Sequence, residues 1–283
     1  MFEERQLDGY LRRIGVSGPL RADAESLRRI HRAHLATIPY ENLDIQLGRT
    51  ISLEPEALYR KVVESRRGGF CYEQNGTLAL ALRASGFTLT IVEGGVHREE
   101  RGESAWGNHM LLLVEADGQR WIADAGLGDG FLEPLPLAEG EHRQGAFTHR
   151  LKRLDAETWR CFPDAHGSVG SFDFRLTPRK IEDFAGRCLE LSTSPESSFV
   201  KVLTVQQPGE PCLARIRSRT FSTSGPTLSG GKTERFVTDR AEFETLLFDD
   251  FGLGRQTLNP SEVDTLWANA TGQHETWLST RAA

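Results

Sequence analysis

The chain is poor in cysteine. Its 283 residues hold four, Cys71, Cys161, Cys188 and Cys212, far apart and with no CxxC pair. That spacing excludes a disulfide framework or a Cys-rich zinc site as the organising device. Long apolar runs are also missing. No stretch approaches about eighteen apolar residues, so no membrane-spanning helix is expected. The charged opening MFEERQLDGYLRRIGV lacks an apolar core, so no secretory signal is expected either. A reducing cytoplasm is the expected location. Positive charge is in deficit: 34 Lys and Arg stand against 40 Asp and Glu, a formal net charge of −6. The basic residues are scattered, which excludes a broad nucleic-acid surface, because that needs a basic stripe to displace phosphate counterions. An anionic ligand would have to be gripped by a few local residues or backbone N–H groups. No metal is expected. His31 and His34 lie three apart on one helix, but nothing nearby completes a ligand set, so both are expected to be packed or solvent-facing. His97, His142, His149, His166 and His274 sit in polar, loop-like surroundings and are expected at the surface.

What is present suits a globular fold of more than one core. Hydrophobic residues make up 38% of the chain and charged ones 26%, with fifteen Phe and five Trp to fill an interior. The length predicts two or three packed subdomains. The first third reads as helical. One helix is expected over Phe2–Ile14, and a second is capped by Asp23 and ends before Pro39. A third is capped by Ser52, with Pro55 in its first turn and Gly68-Gly69 at its end. A fourth runs over Cys71–Ala84, with Gly86 as its stop. From Thr88 the pattern turns to short β-rich segments: TLTIVEGGV, HMLLLVEA, RWIADA, TWRCF and GSFDFRL. A long loop is expected from Leu127 to Gly145. Further on, KIEDFAGRCLEL reads as a short helix, while FVKVLTVQQ, PCLARIRSR and ERFVTD read as strands. Asp239 and Glu242 form a capping-box pattern for a helix carrying Phe243, Leu246 and Leu247.

The segment Arg66-Arg67-Gly68-Gly69-Phe70-Cys71-Tyr72-Glu73-Gln74-Asn75 carries the most chemical information. Two glycines precede a cysteine that opens a helix. The positive end of a helix dipole favours thiolate over thiol, so a lowered pKa is expected and the position suits a nucleophile. The N–H of Cys71 is also placed to meet a developing oxyanion. Local sequence alone leaves a packed cysteine equally open.

A thiol nucleophile needs a base, and the base needs an orienting acceptor. His109 opens the strand His109–Ala116, Asp117-Gly118 signals a tight turn, and the return strand leads to Asp124. A two-residue loop pairs Ala116 with Gln119 and sets Leu111 opposite Asp124. His109, Leu111 and Asp124 then share a face, with His109 and Asp124 as diagonal neighbours roughly 7–8 Å apart at Cα. A four-residue loop gives the same register, and a three-residue loop breaks it. An imidazole held by a carboxylate is the general-base half of a catalytic triad.

With these residues in place, RRGGFCYEQN resembles the active-site signature of the arylamine N-acetyltransferases. HRAHLATIPYENLDI resembles that family's preceding helix and loop. NHMLLLV and DAGLGDGFLEPLPL resemble its His and Asp segments, and EHRQGAFTHRL and SPESSF resemble further blocks. The resemblance runs from about Phe2 to Ser198. It implies an α+β fold of three domains: a helical bundle over 1–86 carrying the nucleophile, an antiparallel β-barrel over 87–198 carrying His and Asp, and an α/β lid over 199–283. It implies a papain-like triad of Cys71, His109 and Asp124, acylated by acetyl-CoA in a ping-pong reaction. The acceptor implied is an arylamine, hydrazine or arylhydroxylamine, as in xenobiotic metabolism.

The resemblance also implies structural support from Glu41, Arg67 and Asn75. Ile38, Tyr40, Phe70 and Phe199 are placed beside the acceptor, and Ala105, Trp106 and Asn108 at the CoA entrance. Gly126 and Gly128 would offer backbone N–H groups to CoA. Leu127 stands where many relatives have Phe, which predicts a reshaped acceptor pocket. No nucleic-acid or membrane partner is implied, and a homodimer is the one assembly considered. The same triad also serves amide synthesis from carrier-bound acyl groups and a transglutaminase-like or hydrolytic reaction. An inactive binding protein is the remaining alternative, and the filled triad argues against it.

Overall fold

The computed structural model describes residues 1–282. The N-terminal third is helical as expected, with Glu4–Arg13, Ala24–Thr37 and Cys71–Ala84 as its main helices. Asp23 caps the second helix by accepting the Ser26 N–H at 2.8 Å. The third expected helix starts two residues later than read. Glu54 occupies the N-cap position without a side-chain bond, and Pro55 opens the helix. That helix runs over Pro55–Tyr59, continues as a wider π-helical turn over Arg60–Glu64, and stops at Ser65, before Gly68-Gly69.

The β segments form an eight-stranded antiparallel sheet. Its spatial order is Leu135–Pro136, Gln119–Ala123, His109–Ala116, Thr88–Val96, Phe172–Arg179, Thr158–Phe162, Phe147–Arg153 and Gly140–Gln144. Strands from both ends of this order meet in one core, where Val92, Leu135, Leu151 and Phe172 pack together. The His109–Ala116 strand is apolar at nearly every position because both of its faces are covered. Met110, Leu112 and Val114 pack against the helices, while Leu111 and Leu113 face the interior of the curved sheet. Side chains alternate along a strand, so His109 shares the interior face with Leu111.

The region expected as a loop from Leu127 to Gly145 contains two strands, Leu135–Pro136 and Gly140–Gln144. FVKVLTVQQ is not one strand. Ser197 Oγ accepts the Phe199 N–H at 3.2 Å and starts one helical turn, Ser198–Lys201, before the strand Thr204–Gln207. This strand is the second of a second, five-stranded sheet, in the order Tyr40–Glu41, Thr204–Gln207, Leu213–Arg217, Thr220–Ser224, Lys232–Phe236. One face of that sheet, through Val205 and Ile216, packs on Val263, Leu266 and Ala270 of the helix Pro260–Ala282. Two histidines expected at the surface are buried. His149 accepts the Asp164 N–H at 3.1 Å and packs edge-on to Phe131, and burial pushes its pKa down to about 4. His274 packs between Phe236 and Trp277.

Candidate active site

Cys71 is the first residue of its helix. The preceding turn is held by Glu73, whose carboxylate accepts the Phe70 N–H at 3.2 Å and an ammonium hydrogen of Lys61 at 2.7 Å. Lys61 also reaches Asp44 at 2.8 Å, and Asp44 lies 3.2 Å from the Arg67 guanidinium. Arg67 donates through Nε to Glu41 Oε1 at 2.9 Å. Glu41 is fully buried and Arg67 is 2% exposed, and each charge beneath the Cys71 turn has an opposite partner within the protein.

The hairpin has the expected register. Asp117 and Gly118, both at positive φ, form a two-residue turn, and Ala116 pairs with Gln119 as Leu112 does with Ala123. One step beyond the ladder, Asp124 Oδ2 accepts the His109 Nε2–H at 2.7 Å. Its Oδ1 accepts the Gly126 N–H and the Asn75 amide, each at 2.8 Å. Asn75, one turn beyond Cys71, also donates to the Met110 carbonyl at 2.5 Å, and its Oδ1 accepts the Ala125 N–H at 2.9 Å. A single amide thus ties the helix of Cys71 to the strand of His109 and the loop of Asp124. With Nε2 engaged by Asp124, Nδ1 is the ring nitrogen of His109 left for the cavity that Cys71 also lines.

The electrostatics correct one expectation. Burial pushes the Cys71 thiol well above its usual range, with Cys188 and Asp124 acting in the same direction. The Tyr72 backbone N–H opposes this but does not prevail. At 3% exposure, the thiolate loses more hydration than the helix terminus returns. A lone thiolate is therefore disfavoured, and the negative charge needs a cation beside it. Burial alone would also raise Asp124. The charge of His109 and the hydrogen bonds from His109, Asn75 and Gly126 hold it below the usual carboxylate range.

Cys71, His109, Asn108, Tyr40, Gly126, Leu127 and Phe199 all border one cavity of about 540 Å³. Five expected contact residues do not line it. Ile38 and Phe70 are buried in the helical core, Phe70 standing edge-on to both Tyr72 and Phe199. Ala105 is fully buried, and the ring of Trp106 is covered by the guanidinium groups of Arg98 and Arg175 at 4.8 and 4.0 Å. Gly128 also stands behind the wall. It adopts φ +74°, and its Cα lies so close to Tyr40 and Gln206 that a Cβ would overlap both. Asn108 lines the cavity while its side chain bridges both backbone groups of Val96 at 2.8 and 3.1 Å. Sequence reasoning missed Gln206, Arg215 and Arg217, which lie on the cavity face of the second sheet. Their only sequence signal is alternation with the buried Val205 and Ile216.

Gly126 packs against the backbone of Cys71. A Cβ there would lie 2.5 Å from Asn75 Nδ2 and 3.0 Å from Cys71 Cα. Backbone cannot yield as a flexible side chain does, so Gly126→Ala is expected to displace Cys71 or Asp124. The acylation rate should fall about 100-fold while the fold is kept. A variant with the parental rate would show that this contact is slack.

A sequence model of the N-acetyltransferase family matches residues 23–258. Arylamine N-acetyltransferase 1 of Oryctolagus cuniculus is 30% identical over 274 residues, covering 87% of this chain and 93% of that protein. The arylamine N-acetyltransferase of Mycolicibacterium smegmatis is 33% identical over 242 residues, covering 83% and 86%. The solved structure of Mycobacterium marinum arylamine N-acetyltransferase in complex with CoA superimposes with a TM-score of 0.83 at 26% identity, covering 93% of this chain and 98% of that one. A chain that brings Cys71 and His109 to one cavity, with Asp124 bonded to His109, and matches these enzymes over most of its length, belongs to the arylamine N-acetyltransferase family and is an acyltransferase.

Proposed function

We propose that this enzyme acetylates arylamines, hydrazines or arylhydroxylamines in two half-reactions through an acetyl thioester on Cys71, with acetyl-CoA as donor. The observation that carries the reading is the 2.7 Å bond from His109 Nε2 to Asp124 beside a buried thiol in the same cavity. Family membership supports the choice of donor and acceptor.

The sequence of events follows from the charges. The Cys71 proton passes to His109 Nδ1, and Asp124 stabilises the imidazolium formed. The thiolate attacks the acetyl carbonyl, and the first N–H groups of the Cys71 helix, which lack intrahelical partners, are available to the oxyanion. The C–S bond to CoA breaks, and His109 returns its proton to the departing sulfur. The amine nitrogen then attacks the new thioester and gives its proton to His109, and Cys71 leaves as the acetylated product forms. The burial that disfavours a lone thiolate also keeps water from the thioester. We assign structural support of this loop to Glu41, Arg67 and Asn75, and we retain the division into 1–86, 87–198 and 199–283 as part of the proposal.

A panel of aromatic amines and hydrazines tests the reading through CoA release. Release that depends on both acetyl-CoA and an amine is expected. A folded protein that releases no CoA with any acceptor would overturn it. Leu127 on the cavity wall should matter for acceptor choice, so Leu127→Phe is expected to change the ranking of acceptors at least several-fold. An unchanged ranking would remove Leu127 from the acceptor pocket.

A further inference from the structure

His31 is buried in the helix Ala24–Thr37, 93 residues from the loop it touches. Its Nδ1 lies 3.2 Å from the Leu132 carbonyl, and its Nε2 lies 3.2 Å from the backbone nitrogen of Asp124. A carbonyl only accepts and a backbone N–H only donates. One protonation state satisfies both: a neutral ring with its hydrogen on Nδ1 and a bare Nε2. The ring lies nearly parallel to Phe131, at an interplanar angle of 16°. The same helix reaches one residue further along the loop, where Arg32 meets Glu133 at 2.5 Å.

We infer that His31 is a positioning residue for the acyl-transfer reaction, clamping the main chain of Asp124 and the 124–132 loop so that Asp124 aims at His109. The Asp124 side chain is already held by Asn75 and Gly126, but those bonds fix only the carboxylate. His31 supplies the partner for its backbone N–H, and through Leu132 it closes the loop carrying Gly126 and Leu127. A protonated His31 would set a ring N–H against the Asp124 N–H. Burial pushes its pKa down, which keeps the ring neutral against the opposing pull of Asp124 and Glu133. The neighbouring His34 is likewise kept neutral, pushed down to about 3 by burial.

The inference rests on Cys71 being the nucleophile that His109 activates. Its test uses alkylation of Cys71 by iodoacetamide, which needs no acyl donor, so it can fail or succeed independently of acetyl transfer. His31→Phe keeps the ring but removes both bonds. The midpoint of the pH profile for alkylation is expected to rise by about one unit, with about a tenfold slower rate at pH 7. His31→Gln carries an acceptor of similar reach and is expected to stay within about threefold of the parent. A folded His31→Phe protein with the parental pH profile would reduce His31 to a packing residue and overturn the inference. Should that variant not fold, ¹⁵N NMR of the unmodified protein decides. A neutral ring protonated at Nδ1 at pH 7 supports the clamp, and a ring protonated at Nε2 or at both nitrogens contradicts it.

Discussion

Asp124→Asn should slow acylation of Cys71 by about 10³–10⁴-fold while leaving the fold intact. The direction follows from the hydrogen-bond donors around the carboxylate. Oδ1 receives two donors, the Asn75 amide and the Gly126 N–H, and Oδ2 receives a third from His109. An asparagine has one acceptor oxygen, and the two fixed donors claim it. Its NH₂ group must then point at His109 Nε2, which can meet a donor only by giving up its own proton. The imidazole hydrogen moves to Nδ1, the nitrogen that has to accept the Cys71 proton, and the base is lost. Single-turnover CoA release measures the effect directly. A rate within tenfold of the parent would mean that Asp124 does not set the tautomer.

The second large effect is on stability. Arg67→Met should destabilise the protein by about 3–5 kcal/mol, because it leaves the fully buried Glu41 without its cation. Asp44 keeps Lys61 and Arg49, at 2.8 Å each, so most of the loss falls on Glu41. Replacing both partners, as Glu41→Leu with Arg67→Met, should recover much of the loss, since no unpaired charge is then buried. Urea unfolding of the single and double variants measures this. A single variant within about 1 kcal/mol of the parent would show that water or Lys61 reaches Glu41.

The parts of the site that were legible in the sequence are those fixed by local geometry. Asp117-Gly118 dictates a two-residue turn, and that turn sets the register bringing His109 to Asp124. A glycine pair before a helix start marks Cys71. The parts that were not legible depend on contacts between distant segments. His31 bonds across 93 residues and Gln206 across 79, and nothing in their neighbourhoods announces a partner. The thiol's pKa is illegible for the same reason: the helix start is local, but burial is made by the strands and helices that close over it. The strand Phe147–Arg153 alternates Phe147, His149 and Leu151 inward with the exposed Arg150 and Lys152, but only two of its seven residues are apolar, which makes the pattern weak. Thr220–Ser224 is almost wholly polar, although Ser222 and Ser224 are buried, and it is paired on both sides, with Leu213–Arg217 and Lys232–Phe236. Both strands are set by pairing partners rather than by their own propensity.

The proposed chemistry requires that Cys71 carry the acetyl group. Intact-mass analysis after incubation with acetyl-CoA, without acceptor, tests it most directly. A gain of one acetyl group is expected, located on Cys71 by peptide mapping, absent in Cys71→Ser and discharged when an arylamine is added. No adduct on a folded protein, or an adduct that persists in Cys71→Ser, would contradict it.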